Sequence, residues 1–154
     1  MTTAFDVPPD ALIERASAQL RQDGKVSPPE WARYARTGVH TEKVPTDAGW
    51  WWRRLAAVLR KVYVLGPIGS ARLAAEFGGK RDRGSAPYHP RAGSGSVARE
   101  CLQQLEALGL VTKAESKGRR VTPAGRRLLD NLSHQILLEA AAKNPELTKY
   151  TRAK

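Results

Sequence analysis

The residues best placed to do chemistry are cations. Arg53, Arg54, Arg60 and Lys61 fall on one side of a predicted helix; Lys80, Arg81, Arg83 and Arg91 lie in a glycine- and proline-rich stretch; Arg99 follows; Lys117, Arg119 and Arg120 surround a short turn. Guanidinium groups bind phosphate oxygens bidentately, so such a set can neutralise a polyanion. Catalytic chemistry lacks its parts. His40, His89 and His134 are scattered, with no Cys or carboxylate at metal-ligand spacing. Cys101 sits among Val97, Leu102 and Leu105 and reads as a small core residue, not a nucleophile. Gly93-Ser94-Gly95-Ser96-Val97-Ala98 looks like a truncated dinucleotide fingerprint, but a basic, proline-rich stretch precedes it instead of a strand. Asn131-Leu132-Ser133 matches a glycosylation pattern by chance, inside a predicted helix. The expectation is a protein with no catalytic residue, no metal and no cofactor.

The distribution of charge supports a phosphate-backbone binder. Net charge is +11 over 154 residues; residues 53–126 hold 15 Lys and Arg against 5 Asp and Glu, a net +10, while residues 1–52 are at net −1. A membrane-surface role would concentrate charge in one amphipathic segment or tail. No apolar run approaches the roughly 18 residues of a membrane span, and a lone cysteine suits a reducing compartment. A soluble, cytoplasmic protein is expected.

The elements that must position these cations are organised around one amphipathic helix. From Asp47, a cap, to Gly66-Pro67, a stop, Trp51, Leu55, Val58, Leu59, Val62 and Leu65 recur on one face at about 100° per residue, with Trp52 and Tyr63 on its border. Trp51, Trp52, Leu55 and Leu59, with Trp31 as an anchor from an earlier segment, are the predicted structural core. Trp50 falls at the edge of the basic face. No acidic residue occurs between Asp47 and Glu76, so the basic stripe has no local partner; it is either a solvated face or the seat of an anion.

Around that helix the chain reads in order. Pro8-Pro9 opens a helix with Leu12, Ile13, Ala16 and Leu20 inward, and Ser27-Pro28-Pro29-Glu30 starts a short one. Residues 37–46 are an irregular connection with His40 and Lys43 exposed. Ser70 to Phe77 is helical, and residues 80–96 form a basic loop of about 17 residues, ordered by a partner. A helix over 96–108, capped by Gly109, precedes two short strands, 110–113 and 119–122, with a basic tip; a last helix starts at Thr122-Pro123 and ends at Asn144-Pro145. Three helices, a hairpin and a further helix are the layout of a winged helix-turn-helix. The fold expected is mainly α: a helical bundle around a central amphipathic helix, with a winged-helix core and one small β-hairpin. Residues 1–154 are one domain, with 1–46 a helical extension, 47–143 the winged-helix core and 144–154 a polar tail.

Which nucleic acid such a fold would bind follows from where the charge lies. The helix over 96–108 would enter a DNA major groove, yet it sets Arg99 against Glu100 and Glu106. Positive charge is spread over three other elements, which suits a folded RNA contacted through its backbone. A winged-helix DNA-binding transcription regulator is the alternative, and an enzyme a distant third.

The motifs follow one known pattern in one order. Pro29-Glu30-Trp31, Trp50-Trp51-Trp52 with Arg54, Arg60 and Tyr63, Gly66-Pro67-Ile68-Gly69, Gly78 to Gly84 with Pro87, Leu102-Gln103-Gln104-Leu105-Glu106, and Gly118 to Pro123 with Gly125 together resemble the archaeal and eukaryotic-type family of small-subunit ribosomal protein nineteen. The resemblance covers Asp6 to about Tyr150. It implies a structural, rRNA-binding protein in the head of the small ribosomal subunit, with a part in assembly and precursor-rRNA maturation. Its partners would be that rRNA and neighbouring small-subunit proteins, the chain being a monomer off the ribosome. Arg54, Arg60, Lys61, Lys80, Arg81, Arg83, Arg99, Arg119 and Arg120 are the contacts it implies. Arg53 and Lys117 rest more on the charge argument than on the family, and Arg91 is added as part of the basic loop. Glu100 departs from the family, standing where similar proteins carry a basic residue.

Overall fold

Prolines and glycines set the boundaries of the helices. The computed structural model describes residues 2–151. Helix α1, Pro9–Gln22, starts on proline, whose missing N–H costs nothing in a first turn, and buries Leu12, Ala16 and Leu20. A 3-10 turn over Glu30–Arg33 leads through an irregular segment to α2, Trp50–Leu65. Gly66 ends α2 at φ +74°, a conformation open to glycine. Helix α3, Ser70–Glu76, is followed by strands β1, Gly79–Arg83, and β2, Ala86–Arg91. Helix α4 spans Gly95–Ala107, strands β3 and β4 span Val111–Lys113 and Arg119–Val121, and α5 spans Pro123–Lys143.

The core forms where α1, α4 and α5 pack on α2. Trp51, Leu55, Ala56, Val58, Leu59 and Val62 of α2 are all fully buried, against Leu12 and Leu20 of α1, Leu102 and Leu105 of α4 and Leu129 of α5. Such a stripe drives assembly because each large apolar side chain withdrawn from water contributes about 1.5–3 kcal/mol.

Helices α2, α3 and α4 and the β3–β4 hairpin make the winged helix. Ile68, between α2 and α3, exchanges two backbone hydrogen bonds of 3.0 Å with Arg119, adding a one-residue third strand to the wing. Gly118 permits this approach: its φ is +95°, and a Cβ there would run into the Ile68 carbonyl. The mainly helical class and winged-helix layout are thus as expected.

Several local expectations are corrected. Residues 80–96 hold a second antiparallel hairpin, β1–β2, where the sequence reads as a loop. Beyond their first residues both strands are exposed on both faces, so no alternation of apolar residues marks them, and Pro87 and Pro90 are tolerated because each strand has a free edge. Trp31, expected as a core anchor, is 39% exposed, and Trp52 is only partly buried. No side chain caps the 3-10 turn, and the α2 N-cap is Gly49, whose N–H donates to Asp47 Oδ1 at 2.9 Å. The region after Asn144 forms a 3-10 turn, Pro145–Leu147, and a helical turn α6, Thr148–Thr151, packed on α5. Arg152 to Lys154 of the expected tail lie outside the described residues. Among the described residues no helix is long and apolar enough to cross a membrane.

Candidate nucleic-acid interface

The β1–β2 ribbon presents the densest set of free cations. Cross-strand partners share a face, so Arg81, paired with His89, and Arg91, paired with Gly79, lie on one side, while Lys80, paired with Pro90, shares the other with Tyr88. An Arg91 Nη1 contact to His89 Nδ1 at 3.2 Å holds two of these groups together. At the tip Asp82 Oδ1 accepts from the Gly84 N–H at 2.8 Å and Gly84 has φ +68°, which closes the turn beside Arg83. Among the described residues, Lys80, Arg81, Arg83 and Arg91 form no ion pair.

The ribbon has a fixed foot. Gly93 bridges Gly38, the Ser94 N–H donates to the Thr37 carbonyl at 2.8 Å, and the Gly93 N–H donates to the Ala74 carbonyl at 2.9 Å. The His40 ring is lodged between Gly38 and Gly79, where a Cβ on either glycine would overlap it. His40 is therefore not the exposed residue expected: it is partly buried, and its Nδ1 is buried without a hydrogen-bond partner among the described residues. The connection over 37–46 is what aims the ribbon.

On α2 the basic stripe has no partner within the helix, as expected, but is largely engaged by residues outside it. Arg53 pairs with Asp47 at 3.1 Å, and Lys61 Nζ donates to Glu76 Oε2 at 2.8 Å from the end of α3. Arg54 lies over the Phe77 ring, 4.4 Å from its centroid, and burial lowers its pKa while leaving the guanidinium charged at neutral pH. Arg60 is partly buried. Arg54 and Lys61 thus brace α2 against the end of α3.

The wing divides in the same way. Arg119 Nε donates to Glu106 Oε2 at 2.9 Å with its side chain only 17% exposed, so it is a strut between wing and α4. Lys113 approaches the same carboxylate at 3.6 Å. Lys117 and Arg120 are exposed, as is Arg99 on α4, and among the described residues none of the three is ion-paired. The hydrogen bond from Arg119 holds the Glu106 carboxyl below its usual 4.5. A depressed carboxyl contributes stability above its unfolded pKa and loses it as pH falls through the folded value. Below about pH 4.5 the amides of residues 111–121 should therefore exchange faster than those of α2. Hydrogen exchange measured down to pH 3 checks this, and Glu106→Gln should show the fast wing already at pH 7.

Among the described residues no reactive group competes with this picture. Burial pushes the Cys101 thiol up to about 12, so it stays protonated and inert. No group of His, Cys, Asp and Glu among the described residues could hold a metal. Two aromatic residues of this region were not legible as site candidates, Tyr88 at 64% exposure on the ribbon and Tyr34 at 80% beside Trp31. Their signal was an aromatic residue set among prolines, glycines and cations, where no core can form.

The scaffold and its cations define a basic, mainly helical winged-helix protein. Comparison with known proteins makes this specific. Residues 3–139 match the family model for ribosomal protein S19e. The chain is 46% identical to small ribosomal subunit protein eS19 of Aeropyrum pernix over 97% of this chain and 99% of the relative. It is 42% identical to that of Thermoplasma volcanium, with the same coverage, and 38% identical to eS19A of Schizosaccharomyces pombe over 87% of this chain and 93% of the relative. The chain belongs to the ribosomal protein S19e family, which consists of ribosomal structural proteins and not enzymes.

Proposed function

We propose that this chain is a structural rRNA-binding protein of the small ribosomal subunit, seated in the head and acting in small-subunit assembly and precursor-rRNA maturation. The observation that carries this reading is the β1–β2 ribbon: unpaired arginines on a projecting, anchored hairpin, in a chain whose relatives are small-subunit proteins by name. Arg81, Arg83, Arg91, Lys80, Arg99, Lys117 and Arg120 are the primary phosphate contacts. Arg53, Arg54, Arg60, Lys61 and Arg119 hold the face together and contribute its field. Arginine suits this work because its planar fork binds phosphate bidentately and stays charged. The protein acts as one domain in the cytoplasm, a monomer until it meets rRNA and its protein neighbours on the subunit.

A DNA-reading winged helix would bring base-reading cations to α4. Here the exposed Arg99 is followed by Glu100, and Glu106 is committed to Arg119. The test is sedimentation of tagged protein from host lysate after a moderate-salt wash. Stoichiometric recovery with small subunits is expected, and recovery with chromosomal DNA would overturn the reading.

A further inference from the structure

A cleft of about 540 Å³ lies between the 30–36 segment and α4, lined by Trp31, Ala35, Ser96, Arg99, Glu100 and Gln103. Its size falls within the roughly 300–1,000 Å³ of small-ligand sites. Trp31 forms one wall, and the core fixes its position: its ring stands edge-to-face on the buried Trp51, with centroids 5.6 Å apart and planes at 88°. An indole seated on a buried ring while the residue stays 39% exposed is a preorganised stacking platform.

The opposite wall is polar. Arg99 is exposed and without an ion pair among the described residues, so its charge is available to an anion. Glu100 is partly buried; its Oε1 accepts from Gln104 Nε2 at 3.2 Å, which fixes the carboxylate while leaving acceptor capacity on both oxygens. The cleft also adjoins the basic ribbon. Two residues separate Arg91, at the end of β2, from Ser94, which lines the cleft and is tied by its N–H to the Thr37 carbonyl.

A stacking plane, a free guanidinium and a fixed carboxylate beside a basic ribbon suit one occupant. We infer that this cleft receives a single unpaired nucleotide of the bound RNA, its base stacked on Trp31, its phosphate on Arg99 and an amino group of its base on Glu100; this rests on the RNA-binding reading above. A base within an A-form duplex has both faces covered and cannot enter, so the site takes a bulged or looped-out nucleotide. Carboxylate oxygens accept only, so adenine, cytosine and guanine, which carry an exocyclic amino group, fit the site. Uracil has no exocyclic amino group, and its one donor on that edge, N3–H, lies between two carbonyl oxygens that a carboxylate repels, so it fits less well.

The test uses the full chain and two RNA probes, a single-stranded hexamer of one base and a short perfect duplex. Binding is measured by fluorescence anisotropy at fixed salt. Trp31→Leu should weaken binding of the adenine or cytosine hexamer roughly tenfold, as loss of a base–aromatic stack does. It should leave duplex binding within about twofold, while Trp31→Phe should stay within about threefold for both probes. The wild type should prefer the cytosine hexamer over the uracil one by about fivefold, and Glu100→Gln, which can donate to a keto oxygen, should erase that preference. Melting curves of each variant confirm that it is folded.

Unchanged hexamer affinity in a folded Trp31→Leu protein that still binds duplex would overturn the cleft and spare the RNA reading. Equal losses on both probes would make Trp31 a structural residue and overturn the cleft as well. If the wild type bound neither probe, the RNA reading itself would fall. A Trp31→Leu protein with normal RNA affinity that no longer stays on small subunits would assign the cleft to a neighbouring protein.

Discussion

Replacing Trp51 with alanine should lower stability by about 4 kcal/mol, a loss typical of truncating a fully buried aromatic ring. The indole is fully buried and meets Trp50 and Trp31 edge-to-face at 5.2 and 5.6 Å. Its Nε1–H donates to Gln104 Oε1 at 2.9 Å, and Gln104 Nε2 in turn donates to the Ser27 carbonyl at 3.2 Å. The substitution thus opens a cavity, strips an acceptor on Gln104 of its donor, and frees the segment that carries Trp31. For a chain of this size the melting temperature should fall by about 10 °C or more. Trp51→Phe keeps much of the packing but loses the pyrrole portion of the ring and the hydrogen bond, so about 2–3 kcal/mol is expected. Thermal and urea unfolding of both variants measure this; a loss below about 2 kcal/mol for Trp51→Ala would mean that the cluster does not organise the α2–α4 contact.

The largest functional effect should come from neutralising the ribbon. With Arg81, Arg83 and Arg91 all changed to glutamine, affinity for small-subunit rRNA should fall on the order of a thousandfold, since each lost charge-assisted hydrogen bond is worth roughly 1.5 kcal/mol. The slope of log affinity against log salt should shrink by about three, one for each phosphate contact. Stability should not change, because among the described residues these side chains make no ion pair and all three are exposed. Arg119→Gln provides the contrast: its guanidinium is committed to Glu106, so it should cost stability and move the salt slope by much less than one. Filter binding between 50 and 300 mM salt separates these outcomes. A triple variant with an unchanged slope would remove the ribbon from the interface.

The contrast between Arg81 and Arg119 shows what could be read from residue order. The α2 core was legible because Trp51, Leu55, Leu59 and Val62 repeat at the helical period over about three turns, and every one of them is buried. Thr122 before Pro123 announced the start of α5, and its hydroxyl does accept from the Gly125 N–H at 3.2 Å. The β1–β2 hairpin was not legible. Strand signals arise from one buried face, and this ribbon buries neither. Trp31 misled for a related reason: tryptophan is so often buried that its type suggests a core, but only the structure shows it seated on Trp51 and still 39% exposed.

By itself the sequence determined the class of protein. Its periodicities dictated the helices, its glycines and prolines their ends, and its excess of cations over residues 53–126 the sign of whatever it meets. The order of its motifs determined its family. Only the tertiary structure decided which cations are free. Glu76 reaches Lys61 across 15 positions and Glu106 reaches Arg119 across 13, so charges with no partner in their own helix or strand acquire one through packing. Charge is additive along a chain and can be counted from it, but an ion pair requires two side chains within 4 Å, a distance that folding alone sets.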